Sequence, residues 1–150
     1  MQTANNISIK QIMTTDVMIV SPNDSMRKVH DIFQAQSIHH LPVVDDSGRV
    51  IGIISKTDYN FVSYAFPLFR KEKREEANEQ LFESLLVEDV MTKQVATLGP
   101  DDPIALAGGF FRENLFHAIP VVDQSNRLVG ILSTYDLLNY FFEQPAFLEN

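Results

Sequence analysis

The chain states one pattern twice, 78 residues apart and without a gap. Ile38-His39-His40-Leu41-Pro42-Val43-Val44-Asp45 returns as Phe116-His117-Ala118-Ile119-Pro120-Val121-Val122-Asp123, and Gly52-Ile53-Ile54-Ser55-Lys56-Thr57-Asp58 returns as Gly130-Ile131-Leu132-Ser133-Thr134-Tyr135-Asp136. Met13-Thr14 likewise matches Met91-Thr92, while Pro22 and Asp24 match Pro100 and Asp102. Setting residues 10–60 on 88–138 gives 17 identities in 51 positions. An internal repeat constrains architecture more strongly than any local propensity. In a chain of 150 residues each copy is too small to bury a comfortable core alone, so the two are expected to form one body. A working surface between them follows from that expectation.

The rest of the composition serves mainly to exclude. Cysteine is absent, which removes disulfides and thiolate metal sites and is compatible with a reducing cytosol. The formal net charge is −8, against the clustered cations that non-specific nucleic-acid binding uses. The dense basic cluster Arg70-Lys71-Lys73-Arg74 is interleaved with Glu72, Glu75, Glu76 and Glu79. It reads as a solvated helix face with i,i+4 pairs such as Lys71–Glu75. The first residues, Met1-Gln2-Thr3-Ala4-Asn5-Asn6, lack the basic and apolar stretches of a signal peptide. No apolar run approaches the roughly 18–20 residues of a membrane span. The expectation is a cytoplasmic protein with no membrane or nucleic-acid partner.

Within each copy the hydrophobic pattern changes period in a fixed order. A short apolar stretch (17–20, 95–98) suits a brief strand. A Pro stops it, and an Asp then marks a helix start: Asp102-Pro103 has the form of an N-cap followed by Pro at the first helical position. Met26, Val29 and Phe33 share one helix face, as do Ile104, Ala107 and Phe111, and these helices are expected to reach about Ser37 and Leu115. Two β-branched runs around Asp45-Asp46-Ser47-Gly48 then predict a hairpin buried on both faces or nearly so. Ser55-Lys56-Thr57-Asp58 leads into a second helix. The unit is β-α-β-β-α, an α+β layout in which helices cover a small sheet. Between the copies, Phe66-Pro67 interrupts the chain and 70–86 is again helical, with Leu81, Phe82 and Leu85 available to pack. After Asp136 the run Leu137, Leu138, Tyr140, Phe141, Phe142 predicts a buried helix face, or an interface if exposed.

These motifs resemble the CBS (cystathionine-β-synthase) domain family in its tandem form, the Bateman module. The resemblance covers about residues 8–142 and rests on two in-register copies of apolar-Pro-Val-Val-Asp, a turn, and Gly-x-apolar-apolar-Ser-x-x-Asp. It implies one module: a first repeat over about 8–66, a helical connector over 67–87, a second repeat over 88–142 and a tail over 143–150. It further implies repeats packed about a pseudo-two-fold axis with two clefts, adenine nucleotides in those clefts, and pairing of modules into disc-like dimers through their helices.

The residues supply a chemistry for such clefts. A helix N-terminus offers unpaired N–H groups and positive dipole charge to a phosphate. Ser55 and Ser133 add hydroxyls. Asp58 and Asp136 can accept from both hydroxyls of a ribose, or each can simply brace its own helix start. By resemblance, Thr14, Ile38 and His39 join Ser133 and Asp136 in one cleft, while Thr92, Phe116 and His117 join Ser55 and Asp58 in the other. His40, Lys56 and Thr57 extend the first motif, and Lys56 is a phosphate contact without a charged counterpart, since Thr134 replaces it. The histidines are also readable as partly buried polar residues satisfied by the backbone. His39-His40 with His30 lack the ligand spacing of a structural zinc site. The missing Arg in the motifs favours AMP over ATP.

Three functions compete on these grounds. The first is a regulatory sensor for AMP, ADP, ATP or S-adenosylmethionine, requiring no cofactor and signalling to an unidentified partner protein. The second is a scaffold for oligomerisation or docking with vestigial clefts. An enzyme is the third, and the chain lacks a phosphate loop, a Gly-x-Ser-x-Gly elbow, His-Glu-x-x-His and any cysteine nucleophile. Gly108-Gly109, mid-helix where the first copy has His30-Asp31, costs ~1 kcal/mol per Gly against Ala. Close packing against another helix, within the chain or across a dimer, is the expected compensation.

Overall fold

Two β-hairpins, each closed by helices, organise the protein. The computed structural model describes residues 6–64, 71–113 and 117–143. In chain order the elements are α1 (Met26–Ala35), β1 (His40–Val44), β2 (Val50–Ser55), α2 (Lys56–Ser63), α3 (Lys71–Ser84), α4 (Val87–Val90), α5 (Ile104–Arg112), β3 (Ala118–Val122), β4 (Leu128–Ser133) and α6 (Thr134–Phe142), preceded by a 3-10 turn at Ile9–Gln11. β1 pairs antiparallel with β2 and β3 with β4, in the same register: Leu41 opposes Ile54 as Ile119 opposes Leu132. Both ladders shift register at the matching place, between Val43 and Val44 and between Val121 and Val122.

The hairpin turns show how local chemistry fixes that register. The Asp45 carboxylate accepts from the N–H groups of Ser47 and Arg49 at 2.9 and 3.0 Å. Asp123 does the same for Ser125 and Arg127 at 2.8 and 2.9 Å. The turn needs one left-handed residue, which Gly48 (φ 80°) supplies in one copy and Asn126 (φ 62°) in the other. Gly and Asn are the residues that tolerate this conformation best.

The opening strands are shorter than the sequence predicts. Val20 and Leu98 each form a single parallel bridge, to Val43 and Val121. Val20 N–H donates to Pro42 O at 3.1 Å and accepts at its own carbonyl from Val44 N–H at 3.0 Å. Pro42 and Pro120 are tolerated because this one-residue bridge uses their carbonyls and asks for no N–H from them. The hairpins are also less deeply buried than expected: β1 and β3 are buried almost throughout, whereas β2 and β4 alternate buried with half-buried residues. One helix start moves by a residue. Pro103, not Asp102, stands at the N-cap of α5, because the Asp102 carboxylate instead accepts from Gly99 N–H at 2.7 Å and closes the preceding turn. α1 ends at Ala35 rather than Ser37 and α5 at Arg112, with Leu115 outside the described residues.

The chain forms two compact units that do not follow the limits of the duplication: residues 18–95, and residues 1–17 with 96–150. The opening segment of each repeat joins the body of the other repeat. Met26 N–H donates to Leu85 O (2.8 Å), Val87 N–H to Asp24 O (2.8 Å) and Glu88 N–H to Pro22 O (3.1 Å) in the first unit. Ile104 N–H to Ile7 O, Ile9 N–H to Asp102 O and Lys10 N–H to Pro100 O, each 2.9 Å, repeat this in the second. Val87 and Ile9 are fully buried where these segments enter. Complete burial of such a side chain contributes about 1.5–3 kcal/mol, which holds the borrowed segment in place.

Each unit has its own core. Val20, Met26, Val29, Phe33, Leu41 and Ile54 lead one, and Leu98, Ile104, Ala107, Ile119 and Leu132 the other. The first is extended by α3, whose Phe82 is buried against α1 and α2. The Phe66-Pro67 break and the Lys71–Glu75 pairing lie outside the described residues and side chains. The second unit has no such cover among the described residues. α6 contains no buried residue, and Leu138 (54% exposed) and Phe142 (65%) face outward while Leu137 and Tyr140 pack on the core. The burial expected of this helix therefore holds for one edge alone. A Cβ added at Gly108 or Gly109 would meet nothing within 4 Å, so packing against another helix of the unit does not explain the pair.

Candidate ligand site

Both Ser-x-x-Asp segments form reciprocal capping boxes where strand becomes helix. At α2, Ser55 N–H donates to Asp58 Oδ2 (3.0 Å) and Asp58 N–H donates to Ser55 Oγ (3.1 Å). At α6, Ser133 N–H and Oγ both donate to Asp136 Oδ2 (2.7 and 2.9 Å), and Asp136 N–H donates to Ser133 Oγ (3.2 Å). Two otherwise orphaned donors at each helix start are satisfied in this way. The bracing role of the aspartates is thus realised in both copies. It occupies one carboxylate oxygen, Oδ2, in each.

A threonine from the borrowed segment stands beside each box. Thr14 pairs with Ile131 through both backbone groups, each bond 2.9 Å, and its hydroxyl donates to Asp136 Oδ1 at 3.0 Å. Thr92 pairs with Ile53 in the same way, at 2.9 and 3.1 Å. Asp58 Oδ1, by contrast, has no partner among the described residues. The glycine of each motif makes the crossing possible. A Cβ at Gly52 would lie 2.5 Å from Met91 Sδ and 3.1 Å from Thr92 O; at Gly130 it would lie 2.6 Å from Met13 Sδ and 2.9 Å from Thr14 O. Gly52 and Gly130 are site-forming residues that reading the sequence left without a role. The signal was there, in a Met-Thr pair and a Gly repeated at the same 78-residue interval.

The helix starts are partly closed by the strand entries. Lys56 N–H donates to His39 O at 2.7 Å and Thr134 N–H to His117 O at 3.0 Å. Each histidine backbone therefore anchors the helix of its own unit, while both side chains are exposed. With Lys56 and Asp58 N–H engaged, Thr57 N–H is the donor left at the first turn of α2 without a partner among the described residues. Ile38 is half-buried against the first core, and His40 opens β1 opposite Ser55. Lys56 is half-buried and Thr57 exposed on α2. Phe116 lies outside the described residues. The structure thus brings together Thr92, Ser55, Lys56, Thr57, Asp58, His39 and His40 in one unit, and Thr14, Ser133, Asp136 and His117 in the other.

Among the described residues no group of three His, Asp or Glu could hold a metal ion, and no helix is long and apolar enough to cross a membrane. Two helix–hairpin–helix units, each with a Ser-x-x-Asp helix start, define a tandem-repeat architecture. The chain belongs to the CBS-domain family, matched over residues 9–60 and 87–143. It is 29% identical over 130 residues to a homoserine O-acetyltransferase of Methanococcoides burtonii, an alignment that takes in 87% of this chain and 23% of the relative's length. The chain thus spans about a quarter of that relative. The CBS domain pair of protein MJ0100, solved in complex with 5′-methylthioadenosine and S-adenosyl-L-methionine, is 26% identical, with a TM-score of 0.69 over 90% of this chain and 95% of that one. CBSX2 in complex with AMP shares the fold at 21% identity, with a TM-score of 0.74 over 91% of this chain and 96% of its own.

Proposed function

We propose that this CBS pair is a regulatory module that binds an adenosine-containing ligand at its Ser-x-x-Asp helix starts and passes the bound state to a partner protein. Asp58 carries the proposal. Its Oδ2 holds the helix start, and its Oδ1 is an acceptor with no donor among the described residues. A ribose presents two adjacent hydroxyl donors to such a carboxylate. Thr57 N–H and the Lys56 ammonium lie at the same helix start, where a phosphate or a methionyl carboxylate is favoured. The complex of the MJ0100 pair with two adenosyl compounds supports the class of ligand. At α6 the Thr14 hydroxyl already occupies Asp136 Oδ1, so ligand there must displace or share that bond. The Asp58 site is the stronger of the two.

AMP, ADP, ATP and S-adenosylmethionine are the candidates, and binding of any of them to the folded state raises its melting temperature. At a hundredfold excess over the dissociation constant the gain is ~2.7 kcal/mol, roughly 5–11 °C for a chain of this length. Thermal melts of the wild type, Asp58→Asn and Asp136→Asn with each ligand test this. Asn keeps a capping acceptor but loses the charge and one acceptor oxygen, so the ligand-induced shift is expected to vanish in Asp58→Asn and to persist in Asp136→Asn. No shift in the wild type, or an unchanged shift in both variants, would sink the sensor reading.

Self-association belongs to the same reading. The outward apolar residues of the second unit, Leu106, Leu138, Phe141 and Phe142, suit a homodimer formed through helices α5 and α6. Its mass in sedimentation against protein concentration is expected to be twice that of the chain. The same surface supports the scaffold reading if the ligand panel fails.

A further inference from the structure

In the 18–95 unit, α3 lies across α1 and α2, on a face that the other unit leaves bare among the described residues. The two faces match position for position. His30, against Phe82, has Gly108 as its counterpart, where an added Cβ would meet nothing within 4 Å. Ser63, whose carbonyl meets Asn78, has the exposed Phe141. We propose that α3 is a detachable cover, which lifts from α1 and α2 as one piece while the hairpin body beneath it stays folded.

The body does not need the cover. The core of the 18–95 unit is led by Val20, Met26, Val29, Leu41 and Ile54, and the same five places in the other unit hold Leu98, Ile104, Ala107, Ile119 and Leu132. That second set is buried with no helix in the place of α3 among the described residues. A hairpin, its two flanking helices and a borrowed segment therefore suffice to close a core.

The cover is held lightly for its length. Among the described side chains of its 14 residues, Phe82 is the one buried, its ring centroid 5.6 Å from that of Tyr59 and 5.3 Å from that of His30. One side-chain hydrogen bond ties α3 to the face beneath it among the described residues, from Asn78 Nδ2 to Ser63 O at 2.8 Å. The same docking buries Asn78 Oδ1 without a partner among the described residues. A buried acceptor left unpaired loses its hydration and gains no bond in return, which offsets the bond beside it.

Charge weakens the helix further, and its C-terminal end supplies a hinge. Glu75, Glu79 and Glu83 follow one another at i,i+4 spacing, all exposed, and like charges so placed destabilise a helix. Past the last turn the chain is fixed. Met26 N–H donates to Leu85 O at 2.8 Å, and Val87 is completely buried. The cover is thus tethered by residues that belong to the body, and it leaves its seat without taking α1 or the hairpin with it. Lifting it uncovers His30 and Tyr59, so its position sets whether the chain presents one bare helix face or two.

Native-state hydrogen exchange of the full chain tests this, read amide by amide by NMR in low and increasing urea. A segment that opens as one piece shows a single shared opening free energy, with a urea dependence smaller than that of global unfolding. The α3 amides are expected to share one such opening, less costly than those of α1, β1 and β2. Phe82→Ala should speed α3 exchange by about a hundredfold or more while β1 and β2 stay protected. Glu79→Lys, at an exposed position, should slow α3 exchange by about threefold, because two repulsions become attractions. If the α3 amides open with the free energy and urea dependence of β1 and β2, the helix leaves only on global unfolding. If they open singly, with no urea dependence, the helix merely frays. Either result overturns the proposal, as does loss of β1 and β2 protection in Phe82→Ala.

Discussion

The two units share a backbone plan and differ in what covers it. In the 18–95 unit, α3 lies over α1 and α2, and His30, Phe33, Tyr59 and Phe82 form one aromatic cluster. At the matching places the other unit has Gly108 for His30 and Leu137 for Tyr59. No helix covers it among the described residues, and Leu106, Leu138 and Phe142 are exposed. At the helix starts the contrast runs the other way. Asp136 is tied to Thr14, while Asp58 keeps an oxygen without a partner among the described residues. The two copies therefore share the hydrogen bonds that build the unit, while their side chains differ, giving an aromatic cluster under α3 in one and exposed apolar residues in the other.

The strongest way to break this comparison is to remove the cover. Phe82→Ala is expected to cost about 3–5 kcal/mol, because the side chain is buried among His30, Tyr59 and the α1 face. Leu106→Ala, on the uncovered α5, is expected to stay within about 0.5 kcal/mol, as exposed substitutions do. Urea denaturation measures both. Equal costs would mean that α3 contributes no more to its unit than an exposed residue does to the other.

A smaller effect separates the two threonine crossings. Gly130→Ala places a Cβ 2.9 Å from the Thr14 carbonyl, whereas Gly52→Ala places one 3.1 Å from that of Thr92. The methionine side chains can swing aside, but a backbone carbonyl held in a bridge cannot. Both variants should be destabilised by about 1–3 kcal/mol, with Gly130→Ala the worse. The reverse order in the same denaturation assay would show that the crossing at Asp58 is the tighter one.

The smallest expected difference lies at the entry to α1. Partial burial of Asp24 raises its carboxyl pKa, but hydrogen bonds from Lys28 and Ser21 N–H and the Lys28 charge outweigh this and leave it below the ordinary Asp value of 3.8. Lys28 Nζ lies 2.7 Å from Asp24 Oδ2, and in the other copy Leu106 occupies that position. A carboxyl with a depressed native pKa adds stability above its unfolded pKa and loses it as pH falls through the native one. Asp24→Asn should thus be less stable than the wild type at neutral pH, by about 1 kcal/mol, and the gap should close in acid below the Asp range. A gap that persists there would assign the effect to packing rather than charge.

How far the sequence reaches depends on how local each feature is. The Asp-headed turns and both capping boxes follow from residues within five positions of one another, the hairpins from runs that flank those turns, and all were legible. The Asp102-Pro103 start was misplaced by one residue because Asp102 has two local donors to choose from, and it takes Gly99. The exposure of Leu138 and Phe142 was not legible. An apolar helix has the same pattern whether its outer edge is covered or bare.

What the sequence determined by itself is the repeating unit: a Pro-Val-Val-Asp strand, a left-handed turn at Gly48 or Asn126, and a Ser-x-x-Asp helix start. Which segment completes which unit was decided by the tertiary structure. Met13-Thr14 and Met91-Thr92 carry the same pair of residues ahead of the same hairpin motif, so local chemistry has no means of choosing which hairpin each joins. The chain path chooses, and it pairs Thr14 with Ile131 and Thr92 with Ile53. Tertiary structure likewise set α3 over α1 and α2, burying Phe82 against His30 and Tyr59. Neither outcome is written in any single stretch of residues, since each depends on groups far apart in the chain meeting in space.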